Sequence, residues 1–303
     1  GHNEIYGVYG AASLNQGGAS IWVKKLYYNI MQWGITALVH RVIHLFNSAS
    51  RDSPPTSLLN VMAAAGSVLP EDPRRKDAER NLQANLRDII ETSQENDVSL
   101  LLCTIASNER GFAPSYAEPL IDTGSLNMWK EMIADGNTAY EEKRFNIALS
   151  HFENALRLDP QNAWSHFQMG RCLEMLGNKT SARNAYLRAR DTDPAPWRAS
   201  SAINQVIRET AQVKGITLVD GEILFTKYSS SAGIGWDLMD DHVHPSAQGQ
   251  ILLAREVAES VVDLLAVTSD GMKVSDAEYR QIQGETSLDE LAVSHDMYIL
   301  LSE

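Results

Sequence analysis

The amino-acid sequence predicts an α/β protein that is built on a parallel sheet and interrupted by an all-helical insertion. Short apolar runs alternate with longer amphipathic segments before and after the middle of the chain, which is the order of a layered domain with helices packed on its sheet. The middle repeats with a period of 34 residues and keeps a helical pattern throughout. We therefore predict that the repeats lie between two βα units of one sheet.

The composition is that of a globular protein whose charge disfavours nucleic acids. Hydrophobic residues make up 44% of the 303 residues, which is enough to bury a core. The formal charge of −13 repels phosphate backbones and no basic cluster offsets it, so we expect no nucleic-acid partner. Cys103 and Cys172 have neither the pattern of a disulfide framework nor the spacing of zinc ligands, which predicts buried free thiols.

The most apolar stretch lies near the start of the chain, at residues 26–46. His40, Arg41 and His44 interrupt this stretch, so we predict a partly buried helix and no transmembrane segment. His40 and His44 have the spacing of a helical metal pair, but no carboxylate accompanies them and we favour core or interface histidines. Because the sequence begins with glycine and shows no signal-peptide pattern, we expect that an N-terminal segment is missing.

The elements before the repeats follow from periodicity. Residues 70–96 predict a helix, because apolar side chains recur at helical spacing among charged ones. The run DVSLLLCTIAS at 97–107 is rich in Val, Leu and Ile and is bounded by polar residues. It predicts a strand that is buried on both faces of a parallel sheet.

The elements after the repeats follow the same alternation. Residues 200–215 predict a helix, 216–221 a second buried strand and 246–267 a closing helix. The tail from 269 to 303 is predicted to be helical and has no assigned role.

Two repeat units occupy the middle of the chain. Gly136, Ala148, Ala155 and the pair Asp159–Pro160 recur 34 residues later as Gly170, Ala182, Ala189 and Asp193–Pro194. Small residues permit the close approach of paired helices, and proline ends the second helix of each pair. This pattern resembles tetratricopeptide repeats, which implies either a groove for a protein partner or a spacer or lid; two units favour the structural role. Four aromatic side chains are expected to belong to the repeat core: Tyr140, Phe145, Trp164 and Phe167.

The stretch DDHVHPSAQGQ at 240–250 is the clearest candidate for chemistry. Asp241 precedes His244 by three residues in a predicted turn, where a carboxylate can orient an imidazole that acts as a general base. Asp241 is alternatively a helix cap. A zinc site formed by Asp240, Asp241, His242 and His244 is a rival that lacks further ligands at a suitable spacing.

The opening Gly1-His2-Asn3-Glu4 supplies a second motif, because an asparagine amide on a loop can donate to a developing oxyanion. Together with the Asp-x-x-His-Pro motif, and with SNERGFAP between them, it resembles the SGNH/GDSL hydrolases, in particular bacterial members that carry tetratricopeptide repeats. The resemblance implies a three-layer, flavodoxin-like parallel sheet that is incomplete at its N-terminus.

The resemblance also implies site residues for a serine esterase. Asn3 would donate to the oxyanion, His244 would be the general base and Asp241 its orienting partner. Apart from the resemblance, Gly1 and His2 are candidates for the oxyanion site or pocket beside Asn3, and Asn108 and Arg110, which follow a predicted strand end, are candidates for contact with substrate or with the repeat insertion. The family's nucleophilic serine lies upstream of the asparagine motif and is absent from this chain. We therefore expect an inactive fragment of an acyl-ester hydrolase.

The implied ligands and the division of the chain complete the interpretation. The substrate would be a small-molecule, carbohydrate or lipid ester, with no cofactor and no metal ion. The alternative function is a non-catalytic scaffold whose repeats bind a protein partner. Members of the group are often exported or tethered to a membrane through an N-terminal segment. The predicted boundaries are the first part of the hydrolase domain at 1–128, the repeats at 129–195, its second part at 196–268 and the tail at 269–303.

Overall fold

The computed structural model describes residues 1–6, 10–12, 66–115, 118–266, 275 and 277–278. Helices dominate this part of the chain. They are α1 (Pro73–Glu95), α2 (Thr123–Glu141), α3 (Phe145–Leu158), α4 (Ala163–Met175), α5 (Lys179–Thr192), α6 (Ser201–Lys214), α7 (Gly221–Tyr228) and α8 (Ala247–Leu265), preceded by a 3₁₀ turn at His2–Glu4. The predicted helix at 26–46 and nearly all of the tail from 269 lie outside the described residues.

Side-chain caps start most of these helices where the sequence places a short polar residue. Asp72 accepts a hydrogen bond from the Arg74 N–H at 2.9 Å at the start of α1, and Asn162 accepts one from the Ser165 N–H at 2.9 Å at the start of α4. Gly215 ends α6 in the left-handed conformation, with φ of 64°. The helices predicted at 70–96, 200–215 and 246–267 are confirmed.

The sheet is much smaller than predicted. Within the described ranges the strands are β1 (Leu101–Cys103) and β2 (Thr217–Val219), which pair in parallel with Leu102 opposite Leu218. The prediction of a three-layer, flavodoxin-like α/β domain is therefore wrong: the chain is mostly helical here, and two short strands do not form the middle layer of such a fold.

Side-chain hydrogen bonds shorten the apolar run at 97–107 to three paired residues. The Asn204 side chain on α6 accepts from the Ile105 N–H at 2.8 Å and donates to the Ile105 carbonyl at 2.9 Å. Because a side chain binds both of its backbone groups, Ile105 does not pair with a neighbouring strand. After β2, Asp220 caps α7 at once by accepting from the Ile223 N–H at 3.1 Å. Local polar contacts thus replace the strand pairing that apolar composition favoured.

The repeats form two antiparallel helical hairpins, α2 with α3 and α4 with α5, as predicted. A methyl group added at Gly136 would lie 2.7 Å from the Phe152 ring, and one at Gly170 would lie 2.8 Å from the Tyr186 ring. The recurring glycines are thus the points where an aromatic ring of the second helix reaches the backbone of the first. Trp129, Ile133 and Phe152 are buried in this core.

Candidate functional site

Asp241 and His244 form a hydrogen-bonded pair in the turn before α8. The Asp241 Oδ2 atom lies 2.6 Å from His244 Nδ1, while Asp241 Oδ1 accepts from the backbone N–H groups of Val243 at 2.7 Å and His244 at 2.6 Å. Burial raises the pKa of the Asp241 carboxyl, but these hydrogen bonds outweigh it and the pKa lies below its usual value. The carboxylate is therefore held in its charged form beside the imidazole.

The His244 side chain is 76% exposed, so its ring is open to solvent on the side away from Asp241. The turn around it is closed by backbone contacts. Met239 and Pro245 form an antiparallel bridge, and the Asp240 N–H donates to the His244 carbonyl at 2.9 Å. An imidazole with one nitrogen on a fixed carboxylate and the other accessible can accept a proton from a bound molecule.

Asn108 reaches this turn, but it serves the backbone. Its N–H donates to the His242 carbonyl at 3.1 Å, its side chain donates to the Asp241 carbonyl at 3.2 Å, and its Oδ1 accepts from the Gly111 N–H at 2.7 Å. Arg110 turns away towards the repeats, where its Nε donates to Glu174 on α4 at 2.7 Å. The structure thus joins one of these two predicted pocket residues to the turn and the other to the repeats.

The opening residues lie near the same turn. His2 Nδ1 accepts from the Ala199 N–H at 3.0 Å, and the Gly1 amino group pairs with Glu4. Burial, together with the positive charges of the Gly1 amino group and then of His242, lowers the pKa of His2 to about 3. The neighbouring Asn3 is exposed, and no hydrogen bond joins it to Asp241 or His244.

Aromatic rings surround His242 beside the pair. The Phe112 ring lies 5.1 Å from the His242 ring, and the Trp197 ring meets it edge-on at 5.9 Å. Burial lowers the pKa of His242 from its usual value. Across the described ranges, no group of three or more His, Cys, Asp or Glu side chains is arranged to hold a metal ion, so the zinc alternative for Asp240 to His244 has no support here.

A second candidate site is a groove on the repeats with a volume of about 520 Å³. Its walls come from α2, from the start of α3 and from α4. The lining residues are Asn137, Tyr140, Glu141, Lys143, Phe145, Trp164, Gln168, Arg171 and Met175. Phe167 is buried in the repeat core as predicted, whereas Tyr140, Phe145 and Trp164 contribute part of their surface to this groove.

Residues 108–111, here named the junction loop, connect the Asp241 turn to α4 and α5 of the second repeat. Glu109 is fully buried, with Oε2 3.4 Å from Arg183 Nε and Oε1 3.6 Å from Arg190 NH1, both on α5. Burial raises the pKa of Glu109, and the two arginines oppose that shift. Sequence reasoning did not identify this cluster; the only signal was that Glu109 follows a strand.

Arg190 extends the buried cluster beyond the repeats. It is fully buried, and it pairs with Glu222 on α7 at 3.1 Å and donates to the Ser201 hydroxyl at the start of α6 at 2.7 Å. In the same cluster Arg208 on α6 pairs with Glu222 at 2.7 Å. One arginine of the second repeat therefore contacts three separate elements of the rest of the fold.

Comparison with known proteins identifies the middle of the chain. Residues 139–203 match the family model of the tetratricopeptide repeat. No curated protein and no solved structure matches the chain. Nothing in these comparisons supports the resemblance to SGNH/GDSL hydrolases. Over the part of the chain that the structure covers, no helix is long and apolar enough to cross a bilayer. The match supports tetratricopeptide-type helical hairpins over residues 139–203, and hairpins of this type favour a protein-binding helical module.

Proposed function

We propose that this protein is a partner-binding module that holds an extended segment of another protein in the repeat groove. The observation that carries the proposal is the lining of the groove, in which Tyr140, Phe145 and Trp164 provide apolar surface and Asn137 provides an amide. Aromatic side chains bury apolar side chains of a ligand, and amides can satisfy the polar groups of its backbone.

The exposed methionine at the end of α4 allows a test of this groove. Met175 lines it and is 54% exposed, so a charged substitution there leaves the repeat core intact. Peptides selected on the wild-type protein from a random phage-displayed library should bind Met175→Glu at least tenfold more weakly in fluorescence anisotropy. Met128→Glu is the matched control, because Met128 is 50% exposed on α2 and does not line the groove. Equal loss in both variants, or no selected peptide, would contradict the proposal.

A second candidate function is acyl-ester hydrolysis at the Asp241–His244 pair. The 2.6 Å contact between these side chains, combined with the exposed imidazole, favours it. In this proposal His244 takes a proton from water as the water oxygen bonds to the ester carbonyl carbon, and returns it to the leaving alkoxide when the tetrahedral intermediate breaks into acid and alcohol. Asp241 stabilises the imidazolium in between. The ester would belong to a small molecule, a carbohydrate or a lipid, and no nucleophilic residue is assigned.

Hydrolysis of p-nitrophenyl acetate tests this candidate. The serine reaction that the resemblance implies needs a serine that this chain lacks, so any rate measured here comes from water that the pair activates. His244→Ala and Asp241→Asn should each lower that rate at least tenfold, and His151→Ala on α3 should leave it unchanged. If wild-type protein is no faster than His244→Ala across pH 5 to 9, this chain does not hydrolyse esters through the pair.

A further inference from the structure

Lys143, which lines the repeat groove, has a backbone conformation that favours glycine. Its φ is 61°, in the left-handed region. The residue 34 positions later in the second repeat is Gly177, with φ of 79°. The two repeats therefore share one backbone turn, and only the first carries a side chain there. Because glycine would fit this turn without strain, a lysine here indicates that its side chain has a function. Its position indicates that this function lies in the repeat groove.

Arg171 places a second cation in the same groove, in a fixed orientation. Its guanidinium lies 4.2 Å from the centre of the Tyr140 ring, and its NH1 donates to the Gln168 side chain at 2.9 Å. Stacking on an aromatic face leaves the edge of a guanidinium able to donate to a carboxylate. These two contacts hold the cation in place without neutralising it.

Neither groove cation has a carboxylate partner among the described residues. Nearby arginines do: Arg110 pairs with Glu174, and Arg144 pairs with Glu142. The groove also contains Glu141, so its lining carries two cations and one anion. This lining is net positive on a chain with a formal charge of −13, which makes the groove the complement of an acidic ligand.

We propose that the repeat groove selects an extended protein segment in which an acidic side chain stands beside an apolar one. The carboxylate contacts Lys143 and Arg171, and the apolar side chain packs against Phe145, Trp164 and Met175. This inference rests on the proposed partner-binding function and specifies the chemistry of the partner. The pair of cations sets the preference for a carboxylate, while the aromatic wall supplies the apolar contact.

The test uses two labelled decapeptides that differ only in charge. One alternates glutamate and leucine, the other alternates glutamine and leucine, and both carry fluorescein and an amidated C-terminus. In fluorescence anisotropy at low salt, the glutamate peptide should bind at least tenfold more tightly than the glutamine peptide. Raising the salt to about 0.5 M should remove most of that difference, because screening weakens exposed charge pairs.

Two variants locate the preference in the groove. Lys143→Gly keeps the backbone turn and Arg171→Gln keeps a polar side chain, and each should weaken binding of the glutamate peptide about fivefold. The glutamine peptide should bind these variants as it binds wild type. Arg157→Gln on the exposed face of α3 is the matched control and should bind both peptides unchanged.

The outcomes separate this inference from the proposed function. Equal affinity for the two decapeptides, or no binding of either, would overturn the acidic preference. If both bind equally and Met175→Glu abolishes both, the groove still binds partners but does not select acidic ones. If neither decapeptide binds and the phage library yields no peptide that Met175→Glu disrupts, the partner-binding function fails as well.

Discussion

Lys143 shows at the scale of one residue how a functional side chain can lower stability. A left-handed conformation costs an L-residue about 1–2 kcal/mol, and glycine avoids that cost but gains entropy in the unfolded chain. We expect Lys143→Gly to raise the free energy of unfolding by about 0.5–1 kcal/mol in urea titrations. The reciprocal change Gly177→Lys should lower it by a similar amount. A lower stability for Lys143→Gly would show that the lysine stabilises the repeat by contacts.

His2 provides a prediction on pH. Its pKa is about 3 in the folded state and 6.5 ordinarily, so below pH 6.5 the unfolded chain binds a proton that the folded chain does not. Stability should therefore fall as the pH drops from 7 towards 4, by at most about 1.4 kcal/mol per pH unit from this residue. In urea titrations at pH 7 and pH 5, His2→Gln should lose less stability than wild type. His151→Gln should follow wild type, and identical pH dependence in all three would contradict the assignment.

Part of the candidate site was predictable from sequence because it is local. Asp241 and His244 are three residues apart in a turn, and that spacing alone brings a carboxylate to an imidazole. The contacts of Arg110 with Glu174 and of Glu109 with Arg190 join residues 64 and 81 positions apart, for which no local pattern exists. The groove role of Lys143 depends on a backbone angle that its residue type does not indicate. The oxyanion role of Asn3 and the esterase activity remain predictions.

The helices of the repeats show what a sequence period can establish about elements. A repeat of 34 residues predicts helical hairpins directly, because each recurring small residue marks a contact between two paired helices. The apolar runs at 97–107 and 216–221 indicate that these segments are buried. They do not indicate how many strands pair with them. Asn204 and Asp220 limit these runs to three paired residues each, through hydrogen bonds that composition does not reveal.

The contact between α2 and α3 yields a prediction at this scale. Gly136→Ala places a methyl group 2.7 Å from the Phe152 ring, and the buried ring has little room to move. We expect a loss of about 1–3 kcal/mol in the free energy of unfolding, the usual cost of overpacking a core. Gly124→Ala is the control on the same helix: the site is exposed, and the atom nearest to the added methyl group is Asp122 Oδ1 at 3.3 Å, compared with 2.7 Å to the ring at Gly136. If the two variants are equally stable, the Phe152 ring moves away from the added methyl group without cost.

Across the whole molecule, Arg190 connects the repeats to the remainder of the fold. It is surrounded by Glu109, Asp191 and Glu222, and removing one partner of a buried ionic group costs about 3–5 kcal/mol. We expect Arg190→Met to lower the free energy of unfolding by that amount in urea titrations. The exposed Arg188→Met on the same helix should change it by less than about 0.5 kcal/mol. A small effect of Arg190→Met would mean that water or a rearranged side chain replaces the contacts that the three acidic side chains lose.

The junction loop has a consequence for how this molecule melts. Arrays of helical repeats commonly lose structure hairpin by hairpin, because each unit touches only its neighbours. Here Glu109 and Arg110 bind α5 and α4 on one side, while Asn108 holds the Asp241 turn on the other. Unfolding of the second hairpin would leave buried charges without partners. The hairpin and the β1–β2 pair should therefore unfold together. Calorimetry would then record one cooperative heat-absorption peak and not several separate transitions.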